Sequence, residues 1–274
     1  MIPAGFDYVR VSSLDEALGL ISGSGGAKVL AGGQSIIPLM KLRLARPPKL
    51  VDIGRIGELR GVRQLDDGRM AVGALTTYAE MLESPLRNYG LLRDALPTIG
   101  DVQVRNRGTI GGAVAHADPA SDLPACLLAL EAEVVARSQS GERVIPIDDF
   151  LTGAFTTTLR DDEILTEVRL PAPRDDAGSA YVSLEQKASG YAIVGVATVV
   201  SGGGARVGIT GVADVAYRAR AVEGAYGQGA AAAAGHATDG VTVNGDIHAD
   251  AEYRTAMARV YTRRALEAAL GRLG

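Results

Sequence analysis

Two short stretches hold residue types suited to chemistry. Ala31-Gly32-Gly33-Gln34-Ser35 and Thr109-Ile110-Gly111-Gly112-Ala113 each place a glycine pair beside a hydroxyl residue. Adjacent glycines let the backbone turn sharply and approach a ligand with no β-carbon in the way. Successive N–H groups can then face one concavity that suits a phosphate. A helix beginning there would add positive partial charge. A single such turn reads more readily as a tight turn that caps a helix. Two of them suit the two phosphates of a dinucleotide, provided the fold brings them together.

A third stretch, Ala115-His116-Ala117-Asp118-Pro119-Ala120-Ser121-Asp122, follows the second turn. Its spacing matches no zinc pattern, and soft thiolate ligands are missing. Asp122 suits the hydroxyls of a ribityl or ribose chain, or it caps the helix that follows. Other chemistries lack their residues. There is no G-x-x-x-x-G-K-[ST] phosphate loop. Gly23-Ser24-Gly25-Gly26-Ala27-Lys28 begins like a dinucleotide fingerprint, but Lys28 replaces the last glycine and a strand follows instead of preceding. Three histidines define no Ser–His–Asp triad without geometry.

The composition narrows the classes further. The chain has 274 residues, 47% hydrophobic and 22% charged, with a net charge of −4. That is globular composition of about two domains, with no basic balance favouring nucleic acid. Aromatics are 4% and tryptophan is absent, which weakens a base-stacking platform. A single cysteine, Cys126, excludes a disulfide within the chain and an iron–sulfur cluster held by this chain alone. Cys126 itself reads as a core residue. Met1–Asp7 lacks the basic and apolar segments of a signal peptide, and no apolar run approaches the roughly 20 residues of a membrane span. A cytoplasmic protein is expected.

Elements must position these turns. Ser13 and Glu16 form a capping box ahead of a helix with Leu14, Ala17, Leu18 and Ile21 on one face. The loop 22–26 ends it. Strand 28–31, the first glycine turn, a helix over 36–44 stopped by Pro47-Pro48, and strand 50–53 make a small parallel unit. A hairpin pairs 61–65 with 70–74. Thr77 and Glu80 cap another helix, and one more covers 91–96. The segment 104–113 reads as a loop, and 124–130 as a short apolar helix. A hairpin pairs 133–137 with 142–147, and 162–170 ends in a strand. Pro171 to Gly178 reads as a domain boundary. Beyond it come strand 181–186 and a hairpin pairing 192–200 with 206–215. The Gly/Ala tract 227–235 is expected to be mobile. A last helix covers 251–270, with Asp250 as N-cap and Gly271 as stop, and presents Tyr253, Met257, Val260, Tyr261, Ala265, Ala268 and Ala269 on one face. The whole reads as α+β.

The chain resembles the FAD-binding medium subunit of the molybdenum hydroxylase family, that of xanthine dehydrogenase and aerobic carbon monoxide dehydrogenase. The resemblance rests on Ala31 to Ser35, Thr109 to Gly112 and Ala117 to Asp122, and extends to Asp162 to Leu165, Gln186-Lys187 and Ala249 to Arg254. It implies FAD held between two α+β lobes of the vanillyl-alcohol-oxidase (PCMH) type, about 1–57 and 58–172. It also implies a smaller C-terminal α+β domain, 178–274, with an antiparallel sheet. By position, Lys28, Val29, Leu30, Ala31, Gly32, Gly33, Gln34 and Ser35, with Thr109, Ile110, Gly111, Gly112 and Ala113, would hold the diphosphate and adjoining groups. Asp122 would bond cofactor hydroxyls, and Ile99, Leu165 and Lys187 would line the site. Tyr191 would lie near the flavin ring. A cation such as Lys187 beside a flavin would favour its anionic reduced form. Ala113 stands where the family often has Asn, and Gln34 where it often has His.

The resemblance further implies a molybdenum-containing large subunit and a small subunit with two [2Fe–2S] clusters. Electrons would pass from those clusters through FAD to an external acceptor. A stand-alone flavin oxidase or reductase of the same fold is one alternative. A non-flavin module using the turns for another anion is the other.

Overall fold

The computed structural model describes residues 1–23 and 25–273. Ser24, in the expected loop 22–26, and Gly274 lie outside the described residues.

Three sheets follow one another along the chain. The first is parallel, in the order β1 (Asp7–Arg10), β3 (Lys49–Asp52), β2 (Lys28–Leu30). The expected parallel unit is therefore present, with β1 added to its far edge. Helix α1 (Leu14–Ile21) covers it through Leu14, Ala17, Leu18 and Ile21, as the 3.6-residue periodicity requires. Ser13 caps α1 by accepting from the Glu16 amide, but the returning Glu16 carboxylate bonds the amide of Ser12. Helix α2 (Ile36–Lys41) is shorter than expected. The chain leaves it at Leu42 and enters a left-handed conformation at Arg43 (φ 60°), well before the two prolines.

The second sheet is antiparallel, in the order β4 (Val62–Gln64), β5 (Met70–Gly73), β10 (Ile164–Leu170), β6 (Glu133–Ser138), β7 (Gly141–Pro146). Helices α3 (Tyr78–Leu82), α4 (Gly90–Ala95), α5 (Val102–Arg105), α6 (Ile110–His116), α7 (Asp122–Ala129) and α8 (Ile147–Phe150) lie between its strands in sequence. The small hairpin β8 (Leu151–Gly153) and β9 (Thr156–Thr157) follows them. The capping box at Thr77 and Glu80 forms in full.

The expected loop 104–113 is corrected here: it contains the end of α5 and the start of α6. Asp101 accepts from the Val104 amide and Thr109 from the Gly112 amide, so two side-chain caps start helices that glycine content argued against. Gly111 lies inside α6 because its backbone runs against Ala74, and a β-carbon there would stand 2.8 Å from the Ala74 oxygen.

The third sheet is antiparallel: β11 (Ala177–Glu185), β12 (Ala192–Ser201), β13 (Gly204–Thr210), β14 (Tyr217–Arg218). Strand β11 begins earlier than expected, so the connection after Leu170 is short. Helices α9 (Arg220–Ala225), α10 (Ala230–Ala234) and α11 (Ala251–Leu270) complete the chain. Two expectations are corrected. The Gly/Ala tract is helical in α10, and Ala233 and Ala234 are buried. The buried face of α11 is Arg254, Ala258, Thr262, Ala265, Leu266 and Ala269, while Tyr253 and Val260 are exposed. Small residues form that face because α11 packs closely on β11 and β12.

The third sheet is anchored on the second. Tyr181 and Ala197 belong to the same core as α4, α6 and α7. Thr210 Oγ1 donates to the Pro119 and Ser121 carbonyls, and the Leu91 amide donates to Ser179 Oγ.

Candidate functional site

The two glycine turns meet. Gly32 packs on the backbone of Arg107 and Gly108, immediately before Thr109. A β-carbon at Gly32 would overlap the Arg107 oxygen and lie 2.8 Å from its carbonyl carbon. Gly32 is therefore a close-approach glycine, where any side chain would strike rigid backbone. Gly33 adopts φ +78°, which turns the chain away into α2.

The turns differ in what they offer. Among the described residues, the amides of Gly32, Gly33, Gln34 and Ser35 donate to no protein acceptor, and Ser35 makes no side-chain cap. They form a half-exposed row of open donors. The second turn is braced instead. Ile110 N donates to Thr76 O (3.1 Å), Gly111 N to Ala74 O (2.9 Å), Gly112 N to Thr109 Oγ1 (3.2 Å) and Ala113 N to Thr109 O (3.0 Å). Thr109 also pairs with Thr77 in an isolated antiparallel bridge. The two turns therefore differ in their backbone donors: the first has free amides, and those of the second are already bonded within the protein.

Asp122 opens α7 and is buried. Tyr181 Oη, from β11, donates to its Oδ1. Burial pushes the Asp122 carboxyl up to about 6, against the opposing pull of the Tyr181 bond. Tyr78 borders the second turn and feels the charge of this carboxylate. Its ring closes on Gly108, and burial together with the negative field of Asp122 raises its phenol. Tyr191 is half-exposed, and its phenol is raised by burial and then by Asp118 and Asp122. Tyr78 and Tyr181 were not singled out by sequence. Only the fold brings them to Asp122.

The remaining expected residues divide. Leu165 is buried on β10, and Ile99 and Ala113 pack against the same core. Leu30 is buried under α2, and Val29 packs beneath the first sheet, so both support the turn from below. Lys28 is exposed at the start of β2. Lys187 is exposed in the turn between β11 and β12, which the Gln186 side chain shapes by accepting from the Ala188 and Ser189 amides. Cys126 is fully buried, and burial holds its thiol in the protonated form.

A cavity of about 430 Å³ adjoins Tyr191, walled by Asp118, Gln186, Ile193, Gly211, Asp246 and Arg254 among others. Arg254 was likewise missed as a structural group. It is 5% exposed and donates from Nη1 to the Ile193 and Gly211 carbonyls and from Nη2 to Asp246 Oδ2 (2.6 Å). It thereby ties α11 to the strand that leaves the Tyr191 turn.

The chain offers a dinucleotide an open amide row, a bracing turn and a buried carboxylate held at one oxygen by Tyr181. Comparison with known proteins agrees. Residues 4–173 match the family described as FAD binding domain in molybdopterin dehydrogenase. The carbon monoxide dehydrogenase medium chain of Hydrogenophaga pseudoflava is 40% identical over 99% of both chains. Subunit alpha of the 6-hydroxypseudooxynicotine dehydrogenase complex of Paenarthrobacter nicotinovorans is 37% identical, over 99% of this chain and 97% of that one. A solved structure of the Hydrogenophaga pseudoflava carbon monoxide dehydrogenase superposes with a TM-score of 0.95, at 41% identity and full coverage of both chains. The chain belongs to the family of FAD-binding domains of molybdopterin dehydrogenases, as the medium subunit of a multi-subunit oxidoreductase of the molybdenum hydroxylase type.

Proposed function

We propose that this chain holds FAD at the junction of the two glycine turns and relays electrons from [2Fe–2S] clusters on a small partner subunit to an external acceptor. Substrate oxidation then belongs to a molybdenum-containing large subunit. FAD supplies a carrier that exchanges electrons one or two at a time.

The residues of this chain bind and orient. The open amides of Gly32, Gly33, Gln34 and Ser35 donate to the diphosphate oxygens. Thr109 to Ala113 hold that row in place through Gly32. Asp122 accepts from cofactor hydroxyls, oriented by Tyr181. Lys187 and Tyr191 sit on the turn that borders the flavin ring, with Ile99 and Leu165 behind the site. The functional units are lobes 1–57 and 58–172 and the C-terminal domain 178–274. The only thiol, Cys126, is buried, so clusters reside on another chain. We place the complex in the cytoplasm, where a free thiol persists. No helix among the described residues is long and apolar enough to cross a membrane.

The observation that carries this reading is the seating of Gly32 on Arg107 and Gly108 with a free amide row beside it. The test is purification of the chain with its co-expressed partner subunits, followed by visible spectroscopy and rapid mixing. The expected result is one FAD per chain, reduced faster by the cluster-bearing partner than by any organic donor added to the isolated chain. A colourless chain, or turnover of an organic donor by the isolated chain, contradicts it.

A further inference from the structure

The segment around the first turn has an uneven charge. From Ala17 to Val51 there is no acidic residue, although the whole chain has a net charge of −4. The same segment contains Lys28, Lys41, Arg43, Arg46 and Lys49. Among the described residues none of the five makes an ion pair, although most other arginines of the chain do. Asp52, directly after the segment, is already engaged by Tyr8 and Arg10, and Asp7 stands opposite Lys49 in the parallel sheet, away from the residues after α2.

The basic run is also apolar and exposed. Lys41, the last residue of α2, and Leu42, Arg43 and Leu44 after it are four successive exposed residues. Leu44 is 74% exposed and Leu42 52%, and Ile2, at 80%, joins them because Arg43 Nε donates to its carbonyl. The Arg46 guanidinium donates to the Arg43 carbonyl and so shapes the knuckle. Diphosphate chemistry explains cations near the turn. It does not explain leucines pointed at water. Exposed apolar groups clustered at one place and rimmed by unpaired charge mark a protein contact.

We propose that this knuckle, Lys41 to Arg46 with Ile2, is a docking surface for another subunit of the same complex, whose contacting face is an apolar hollow rimmed by carboxylates. Charge complementarity selects that occupant: the three cations of the knuckle, Lys41, Arg43 and Arg46, make no ion pair among the described residues and call for an acidic face, and a second copy of this chain would bring the same cations against each other. Helix α2 connects the knuckle to the first turn, since Ile37 packs on Gly33. A partner seated there lies one short helix from the proposed diphosphate site. The inference rests on the chain working inside a multi-subunit complex and is independent of the electron route.

The experiment uses the complex assembled by co-expression of its subunits, with three variants of this chain: Leu44→Glu, Lys41→Glu/Arg46→Glu, and Lys41→Arg as the conservative control. Assembly is read by sedimentation, and flavin content of the isolated chain is read by absorbance. We expect at least a tenfold loss of subunit affinity for the first two variants, unchanged affinity for Lys41→Arg, and wild-type flavin content in all three. Wild-type association should weaken between 50 and 500 mM salt, and that dependence should flatten in Lys41→Glu/Arg46→Glu. Wild-type assembly by both Leu44→Glu and the charge-reversed variant overturns the proposal. Loss of self-association with the complex intact also overturns it, assigning the knuckle to a second copy. Loss of flavin with assembly retained would place these side chains in the cofactor site and refute docking, whereas an FAD-free wild-type chain refutes the cofactor reading alone.

Discussion

Gly32 and Arg107 touch through their backbones, and this single contact joins two segments that are far apart in sequence. The Arg107 carbonyl occupies the space that a side chain at position 32 would need. The following residues of each segment are the two glycine turns.

Gly32→Ala is therefore expected to lower stability by about 1–3 kcal/mol, because backbone cannot move aside as a flexible side chain can. It should also separate the turns and abolish stoichiometric FAD binding. Gly57→Ala is the control, since nothing lies within 4 Å of a β-carbon there. Thermal denaturation and flavin release on denaturation read both effects.

Asp122 predicts a pH dependence. Its carboxyl ionises near 3.8 unfolded and near 6 folded. The folded chain holds the extra proton between those values, so cofactor-free stability should fall as pH rises from about 4 to about 6 and then level off. The drop is at most about 3 kcal/mol, from about two pK units at 1.36 kcal/mol each. Other carboxylates act oppositely, so the measurement is the difference between wild type and Asp122→Asn across pH. Tyr181→Phe removes the donor that favours the ionised form and should move the drop to higher pH.

Arg254 supports the Tyr191 turn from behind. Arg254→Ala leaves the Ile193 and Gly211 carbonyls without their donor and should cost about 3 kcal/mol. Hydrogen exchange should accelerate first in residues 186–193, ahead of the parallel sheet. Uniform acceleration across the chain would contradict a local clamp.

Cys126 should resist thiol reagents in the native state. It is fully buried and its thiol is held protonated. Labelling should occur only at the rate of global unfolding, measured with a chromogenic disulfide across a urea series.

Much of this was legible in the sequence because it is local. The Ser13 cap, the full capping box at Thr77, the hairpins and the parallel unit depend on residues a few positions apart. The turns themselves were legible from paired glycines. What the sequence hid was non-local. That the amides of Gly111 and Gly112 are already used follows from Ala74 and Thr109, and Ala74 comes from the turn after β5. The partner of Asp122 is a tyrosine 59 residues away. The face of α11 is not legible from side-chain size, since its large residues do not mark its core side. Close packing on two strands instead selects alanine and threonine and turns Tyr253 outward. The role of Arg254 is likewise non-local, because the carbonyls it binds come from Ile193 and Gly211.

The most direct test of the central claim is amide hydrogen exchange of the chain with and without FAD. The four amides from Gly32 to Ser35 have no protein acceptor. FAD is expected to slow their exchange at least tenfold, with little change at Ile110 to Ala113, whose amides are already bonded. Protection that appears elsewhere while residues 32–35 exchange as before would contradict it.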